Sequence, residues 1–454
     1  MNLPGTGDTI AAIATPPGRG GIAVVRISGP LTSDIAHRLL GHVPAPRSAT
    51  RARFADATGS PIDDGLALRF EAPHSYTGED VLELQGHGGV VVSRMVLERV
   101  CELGARPAQA GEFTLRAFLH DRIDLAQAEA IADLIDGASA AAVRCARRSL
   151  SGEFSRTVET HRDLLVELRV FIEASIDFPD EELDLLGTSE TAARLEELRD
   201  AVGATLAESH RGAVLRHGVK LVIAGAPNVG KSSLLNRLAR TDAAIVTDIP
   251  GTTRDVVRER VVIAGIPFDV HDTAGFRETT DPVERIGVDR AVAAIDDADL
   301  VLVVVDDREP VSHLDPAIAE PAAVAPACIV VRNKIDLSGR DPGLTLDQGQ
   351  VRTARVSALK GLGLGGLEEA IVEHVMGGST VCEDAFMARR RHVDALNRAF
   401  TALERAQSRL TVDNAGELAA EELRHAQEAL GEITGAFTSE DLLAQVFSNF
   451  CIGK

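Results

Sequence analysis

Apolar positions along this chain change period more than once. Up to about residue 118 they fall in short, strand-sized runs, among them Ile22 to Ile27 and Val81 to Leu84. Gly-rich turns flank both, GRGG at 18–21 and GHGG at 86–89. Val90 to Leu103 reads as a helix, so this segment is predicted to be an α/β unit. From about residue 119 the period becomes helical. DLAQAEAIADLIDGAS at 124–139 is a predicted helix. Leu164, Leu165, Leu168, Phe171 and Ile172 stripe the next, and Leu195, Leu198, Val202 and Leu206 line one face of another over about 190–215. FPDEELD at 178–184 breaks them as an acidic loop. Strand patterns return at Lys220 to Gly225 and run on to about 376, with GLGLGG at 361–366 expected to form a turn. Two long helical stretches follow. Ala419, Leu423, Ala426, Leu430, Ile433 and Phe437 step by three and four along one side of the last.

The helices on both sides of the 216–376 segment have apolar faces that need covering. One helical domain built from 119–215 and 377–454, with 216–376 inserted, covers both. Insertion is feasible because the ends of compact domains often lie close together. The alternative is two separate helical domains. A chain of 454 residues has room for about three domains. Its 45% hydrophobic and 25% charged residues are ordinary for a soluble protein. The net charge of -21 does more: it disfavours non-specific nucleic-acid binding, and leaves any RNA contact to a local basic patch or a partner. Cysteines at 101, 145, 328, 382 and 451 have neither metal-finger nor disulfide spacing, which fits a reducing compartment. With no signal-peptide pattern and no apolar run near the roughly 20 residues of a membrane span, a cytoplasmic protein without a membrane partner is expected.

Four elements in order give the 216–376 segment its chemistry. They are GAPNVGKS at 225–232, GTTRD at 251–255, DTAG at 272–275 and NKID at 333–336. The first lies between a buried strand pattern, KLVIAG, and a helix pattern, SSLLNRLA, as a phosphate-binding loop requires. Asn228, Val229, Gly230, Lys231, Ser232 and Ser233 form its working end. Lys231 is expected to reach the β- and γ-phosphates and Ser232 to ligate Mg²⁺. Asp272 is expected near Mg²⁺ through water, and Gly275, after Thr273 and Ala274, near the γ-phosphate. Asp336, with Asn333 and Lys334, points to guanine, because a carboxylate accepts N1–H and N2–H together, which adenine does not offer. Ser357 and Ala358 fall where a backbone N–H meets guanine O6. Thr247, Asp248, Ile249, Gly251, Thr252, Thr253 and Asp255 make the first switch segment, and either Thr252 or Thr253 can complete the Mg²⁺ shell. Asn228 is either a cation ligand or a turn former. Ras-like switches orient the attacking water with a Gln after the DxxG element. Here Phe276 and Arg277 follow, and Glu278, Asp281 and Glu284 are all open candidates for that task.

The chain as a whole resembles the tRNA modification GTPase family (MnmE/TrmE), which acts on wobble uridine 34. TPPGRGGIAVVRISG at 15–29, SYTGEDVLELQGHGG at 75–89, GEFTLRAF at 111–118, DRIDLAQAEAIADLID at 121–136, TDIPGTTRD at 247–255, DTAGFRETTDPVERIG at 272–287 and FCIGK at 450–454 carry the likeness. It implies a multidomain α/β plus α fold. An N-terminal α/β domain over 1–118 would bind a tetrahydrofolate derivative and dimerise. A helical domain (119–215 and 377–454) would hold an inserted Ras-like P-loop GTPase domain (216–376). The folate positions fall on Arg26, Glu83, Arg122, where the family often has Lys, and Lys454. Potassium would lie near Asn228, Thr247, Ile249 and Thr252, Mg²⁺ on Ser232 and Thr253, and water orientation on Glu284. The same likeness implies a homodimer that works on tRNA with a flavin-dependent MnmG (GidA) partner carrying FAD and NADH. 5,10-Methylene-tetrahydrofolate would supply one carbon to a carboxymethylaminomethyl or aminomethyl group at uridine C5. Cys451 is either a reactive thiol or a packing residue. A regulatory or ribosome-assembly GTPase, with the first 118 residues as a docking module, is the alternative.

Overall fold

The structure is a computed structural model that describes residues 7–177, 189–239, 258–272, 295–309, 328–346, 352–377, 385–413, 415–436, 440–448, 450 and 453. Two compact units divide the chain. One holds residues up to Ala132, Ser155–Val166 and Arg424 onward; the other holds Asp133–Phe154 and Glu167–Leu423. Residues from Arg424 on therefore pack with the N-terminal part of the chain.

The first unit begins with β1 (Ile10–Ile13), β2 (Ile22–Ser28), α1 (Thr32–Leu40), β3 (Thr50–Ala55), β4 (Pro61–Phe70), β5 (Val81–His87), α2 (Val90–Glu102), β6 (Arg106–Pro107), α3 (Glu112–Leu119) and α4 (Leu125–Asp136). The strands form one six-stranded sheet in the order β3-β4-β5-β2-β1-β6, antiparallel except for β1 with β6. Alternation along β2 and β5 gives the sheet two different faces. Val25, Ile27, Leu82 and Leu84 enter a core with Ile35 and Leu39 of α1 and Val96 and Val100 of α2. Arg26 and Glu83 point to the other face, directly opposite one another. At the β1 end Phe113 of α3 packs with Ile10 and Ala12. Residues near the C-terminus, Leu443, Val446, Phe447 and Phe450, close over Leu115, Leu125 and Ala128.

The second unit continues with α5 (Ala140–Leu150), α6 (Glu153–Asp177), whose middle belongs to the first unit, α7 (Ser189–His217), β7 (Val219–Ala224), α8 (Lys231–Leu238), β8 (Arg258–Ile263), β9 (Ile266–Asp272), β10 (Leu300–Asp306), β11 (Cys328–Asn333), β12 (Gly343–Leu346), β13 (Arg352–Arg355), α9 (Leu364–Met376) and α10 (Arg390–Thr411). α11 (Gly416–Thr434) and α12 (Glu440–Ser448) end the chain. The seven-stranded sheet has the order β12-β13-β11-β10-β7-β9-β8, with β7, β9, β10, β11 and β13 parallel. Parallel strands are covered on both faces, so β10 is buried at every position.

Two sequence expectations change here. The closing part of the chain forms three helices; the helix carrying the last stripe is described to Thr434, and Phe437 lies outside the described residues. The 361–366 segment is a turn only to Gly363; Gly365 and Gly366 are already in α9.

α7 and α10 pack along one another, with Phe400 against Gly203 and Arg199 donating to Gln407 Oε1 at 2.5 Å. These helices flank the nucleotide-binding segment. Asp133 joins both sides. Only 4% of its side chain is exposed, and Oδ1 accepts from Arg216 Nε at 2.7 Å and from an Arg389 terminal nitrogen at 3.0 Å. Arg216 stands just before β7 and Arg389 just before α10. The FPDEELD loop lies outside the described residues.

Candidate functional site

β7 sits where the strand order reverses, with β10 on one side and β9 on the other. The crevice outside the carboxyl ends of such strands is the usual ligand site. Residues 225–230 leave β7 there and lead into α8. Gly225 has φ +145°, Asn228 +65° and Gly230 +99°. A Cβ on Gly225 would strike the Val304 carbonyl and one on Gly230 the Asn333 amide, so both positions require glycine. The loop ends at the N-terminus of α8, whose unpaired N–H groups attract anions. Lys231 Nζ donates to the carbonyls of Gly225 at 2.7 Å and Ala226 at 3.1 Å, which keeps its charge on the loop. Ser232 and Ser233 are exposed in the first turn. A curled backbone, a helix start, a lysine and a free-standing serine suit a magnesium-bound nucleotide phosphate chain.

The base side is tied to the phosphate side by Asn333 at the end of β11. Its side-chain amide donates to Val229 O at 2.8 Å and accepts from Ala358 N at 3.0 Å. Asn333 is 2% exposed and is a tie between loops, which leaves base reading to Asp336. Lys334, at φ +69°, donates to Asn228 O at 2.6 Å and Asp306 Oδ2 at 3.0 Å. Asp336 is half-buried, and Ser357 Oγ donates to its Oδ1 at 2.6 Å. A carboxylate has about four lone-pair sites, so ample accepting capacity remains for a ligand's adjacent N–H groups.

Two acids in this network were not singled out from the sequence. Asp306 is 4% exposed and accepts from Arg308 and Lys334. The Arg308 hydrogen bond is the main reason its carboxyl is held well below the usual range. Asp307, fully buried, faces Arg332, Arg340 and Arg355 at 3.6, 3.5 and 3.9 Å, and Ser338 Oγ donates to it at 2.5 Å. The signal was there: paired acids end an otherwise apolar strand, and buried acids need partners.

In the first unit, Arg26 meets Glu83 through Nε and a terminal nitrogen, each 2.9 Å from Oε1. Its other terminal nitrogen donates to Gly453 O at 3.4 Å. The guanidinium also lies 5.4 Å from the Tyr76 ring centre and 5.8 Å from that of Phe113. Tyr76 is held in turn by a 2.8 Å hydrogen bond with Thr114, and burial pushes its phenol upward in pKa. Arg122 is exposed, and its stem passes next to Gly78 in the turn just after Tyr76. Among the described residues it makes no bond to the Arg26–Glu83 pair. Behind Phe113 is a buried ionic cluster that sequence inspection also missed. Arg116, 2% exposed, bridges Asp8, Glu79 and Glu112, while Arg106 bonds Asp8 and Glu112 at 2.6 Å each. Among the described residues no group of three His, Cys, Asp or Glu is arranged to hold a metal ion. None of the described helices is long and apolar enough to cross a membrane.

The comparisons with known proteins agree over nearly the whole chain. Residues 9–122 match the model "GTP-binding protein TrmE N-terminus", and residues 125–451 match "MnmE helical domain". The chain belongs to the MnmE/TrmE family. Curated relatives named "tRNA modification GTPase MnmE" include that of Chromohalobacter salexigens, 53% identical with 98% of each chain covered. Those of Stutzerimonas stutzeri and Nitrosomonas europaea are 52% and 51% identical, each covering 98% of this chain and 99% of the relative. Among solved structures, the G domain of the T. maritima FeoB iron transporter is 28% identical over 34% of this chain and 98% of that chain, with a TM-score of 0.26. The MnmE family architecture, with N-terminal, helical and nucleotide-binding parts, is the multidomain α/β plus α fold expected from the sequence. Thr247, Asp248, Ile249, Thr252, Thr253, Thr273, Ala274, Gly275, Glu284, Cys451 and Lys454 lie outside the described residues, as does the side chain of Asp272.

Proposed function

We propose that this chain hydrolyses GTP as part of the machinery that modifies the wobble uridine of tRNA. The observation that carries the nucleotide assignment is the Asn333 tie, which sets Asp336 and the Ser357–Ala358 loop at a fixed place relative to the phosphate loop. Asp336 accepts from guanine N1–H and N2–H, and Lys231 neutralises β- and γ-phosphate oxygens. Water attacks the γ-phosphorus, the bond to the bridging oxygen breaks, and GDP and phosphate leave. Ser232 and Thr253 would hold Mg²⁺, and Asn228, Thr247, Ile249 and Thr252 would hold K⁺, each ion adding positive charge beside the phosphates. Phe276 occupies the place of the Ras-like Gln, and Glu284 takes over orientation of the water. Hydrolysis in this reading accompanies pairing of nucleotide-binding domains in a homodimer.

The N-terminal site takes a tetrahydrofolate derivative between Arg26, Glu83, Arg122 and Lys454. Its chemistry fits: Glu83 accepts from pterin N–H groups, arginines pair with the anionic glutamate tail, and the partly exposed Tyr76 ring supplies an apolar surface. The folate provides the one-carbon unit, and a flavin-dependent MnmG-type partner with FAD and NADH provides the redox step. Mass spectrometry of uridine 34 in tRNA from a deletion strain tests the function, with loss of the C5 group expected; unchanged tRNA would refute it. Turnover should be much faster in K⁺ than in Na⁺, and equal rates would remove potassium from the site. Calorimetry with 5-formyltetrahydrofolate tests the N-terminal site. Arg26→Ala should bind about tenfold more weakly, the loss of one charge-assisted hydrogen bond, with GTP turnover unchanged.

A further inference from the structure

A chain with 68 acidic and 47 basic residues repels a polyanion over most of its surface. Residues 140–152 contain Arg144, Arg147 and Arg148 and no acid, and 385–393 contain Arg389, Arg390 and Arg391 and no acid. The fold brings these two segments together. The Arg148 guanidinium lies 4.7 Å from the Phe386 ring centre, and Ser149 Oγ donates to Met387 O at 3.2 Å. Arg148 pairs with Glu153, Arg389 with Asp133, and Arg390 with Asp394 at 3.9 Å while its side chain stays 90% exposed. Arg144 and Arg147 are exposed and have no acidic partner among the described residues. They are three apart on α5, so they are neighbours on the helix surface, with Cβ atoms about 5–6 Å from one another. Arg147 and Arg148 complement the carboxyl end of that helix, but Arg144 is a turn too early to do so.

We propose that this arginine surface, formed by α5 and the start of α10, is where the phosphate backbone of tRNA docks. The inference rests on the tRNA function proposed above and names the surface that serves it. Guanidinium groups pair with phosphate oxygens through two parallel N–H bonds. Such contacts release counterions and position the RNA without reading its sequence.

The test uses the full chain and an unmodified tRNA transcript, with binding measured between 50 and 200 mM salt. In Arg144→Gln/Arg147→Gln/Arg390→Gln, affinity at the lowest salt should fall about tenfold or more. The slope of log affinity against log salt should flatten by roughly 2–3 units, close to one per lost phosphate contact. The corresponding triple Lys variant should retain most binding, and both variants should hydrolyse GTP like the wild type. Unchanged affinity and slope in the Gln variant would overturn the proposal. So would a variant that keeps tRNA but loses the flavin-dependent partner, because the surface would then serve a protein. A wild-type chain that takes up no tRNA, with or without that partner, would instead bring down the function on which the proposal rests.

Discussion

Asn333 and Arg116 show how single residues hold the two candidate sites. Asn333→Ala removes two buried hydrogen bonds at once and should weaken GTP binding by about 2–4 kcal/mol, since each buried group left unpaired costs about 1–3 kcal/mol. Asp336→Asn should lose a similar amount for GTP and gain xanthosine triphosphate. Competition binding with both nucleotides checks this, and equal affinities would exclude Asp336 as the base reader. Arg116→Met leaves the buried Glu112 and the half-buried Glu79 beside a missing charge, and should cost about 3–5 kcal/mol in denaturant unfolding. The cluster also predicts an acid dependence. Burial pushes the Asp8 and Glu112 carboxyls up, but hydrogen bonds from Arg106 and Arg116 outweigh it and hold both below their ordinary values. Their contribution is therefore complete above the ordinary carboxylate range and is lost as pH falls through the depressed values. A melting temperature that shows no added loss below about pH 4 would mean the cluster contributes nothing in solution.

Elements were legible where periodicity was long. α10 has a strong stripe because it buries one face, and β7 and β10 are apolar runs because parallel strands are covered on both sides. The N-terminal strands β3 and β4 were harder, since their sheet is only half covered and their outward residues are polar. Gly365 and Gly366 read as a turn from local chemistry, yet α9 starts at Leu364 because Gly363 makes the turn by itself. The phosphate loop was legible as a motif, but the Asn333 tie was not, because it joins residues 104 and 25 positions apart. The Asp8–Arg116 cluster spans a similar distance, 108 positions, and leaves no local signature. Gly212 is a further case. The Phe386 carbonyl lies so close to it that an added Cβ has no space. Gly212→Ala, ordinarily a stabilising change in a helix, should here cost about 1–3 kcal/mol through overpacking. A thermal melt unchanged or raised would show that the α7 contact is slack.

At the scale of the molecule, the two compact units do not follow blocks of sequence, because residues after Arg424 return to the N-terminal unit. No periodicity reports such a return; it depends on Phe447 and Phe450 finding Leu115 and Leu125. The Asp133 junction has a consequence for how the chain is put together. Arg216 and Arg389 meet on one carboxylate oxygen, so the ends of everything between them stand side by side. The two ends of the nucleotide-binding segment thus meet at one point of the helical frame, although α5 and the end of α7 share a core with its sheet. Deleting 219–384 and joining Gly218 to Ala385 through about six Gly/Ser residues, with a reach of roughly 13 Å, should leave a soluble chain whose α7–α10 pair still melts cooperatively. Circular dichroism with Asp133→Asn as the paired control checks this, and a frame that loses its helices on excision would show that the excised segment also folds its host.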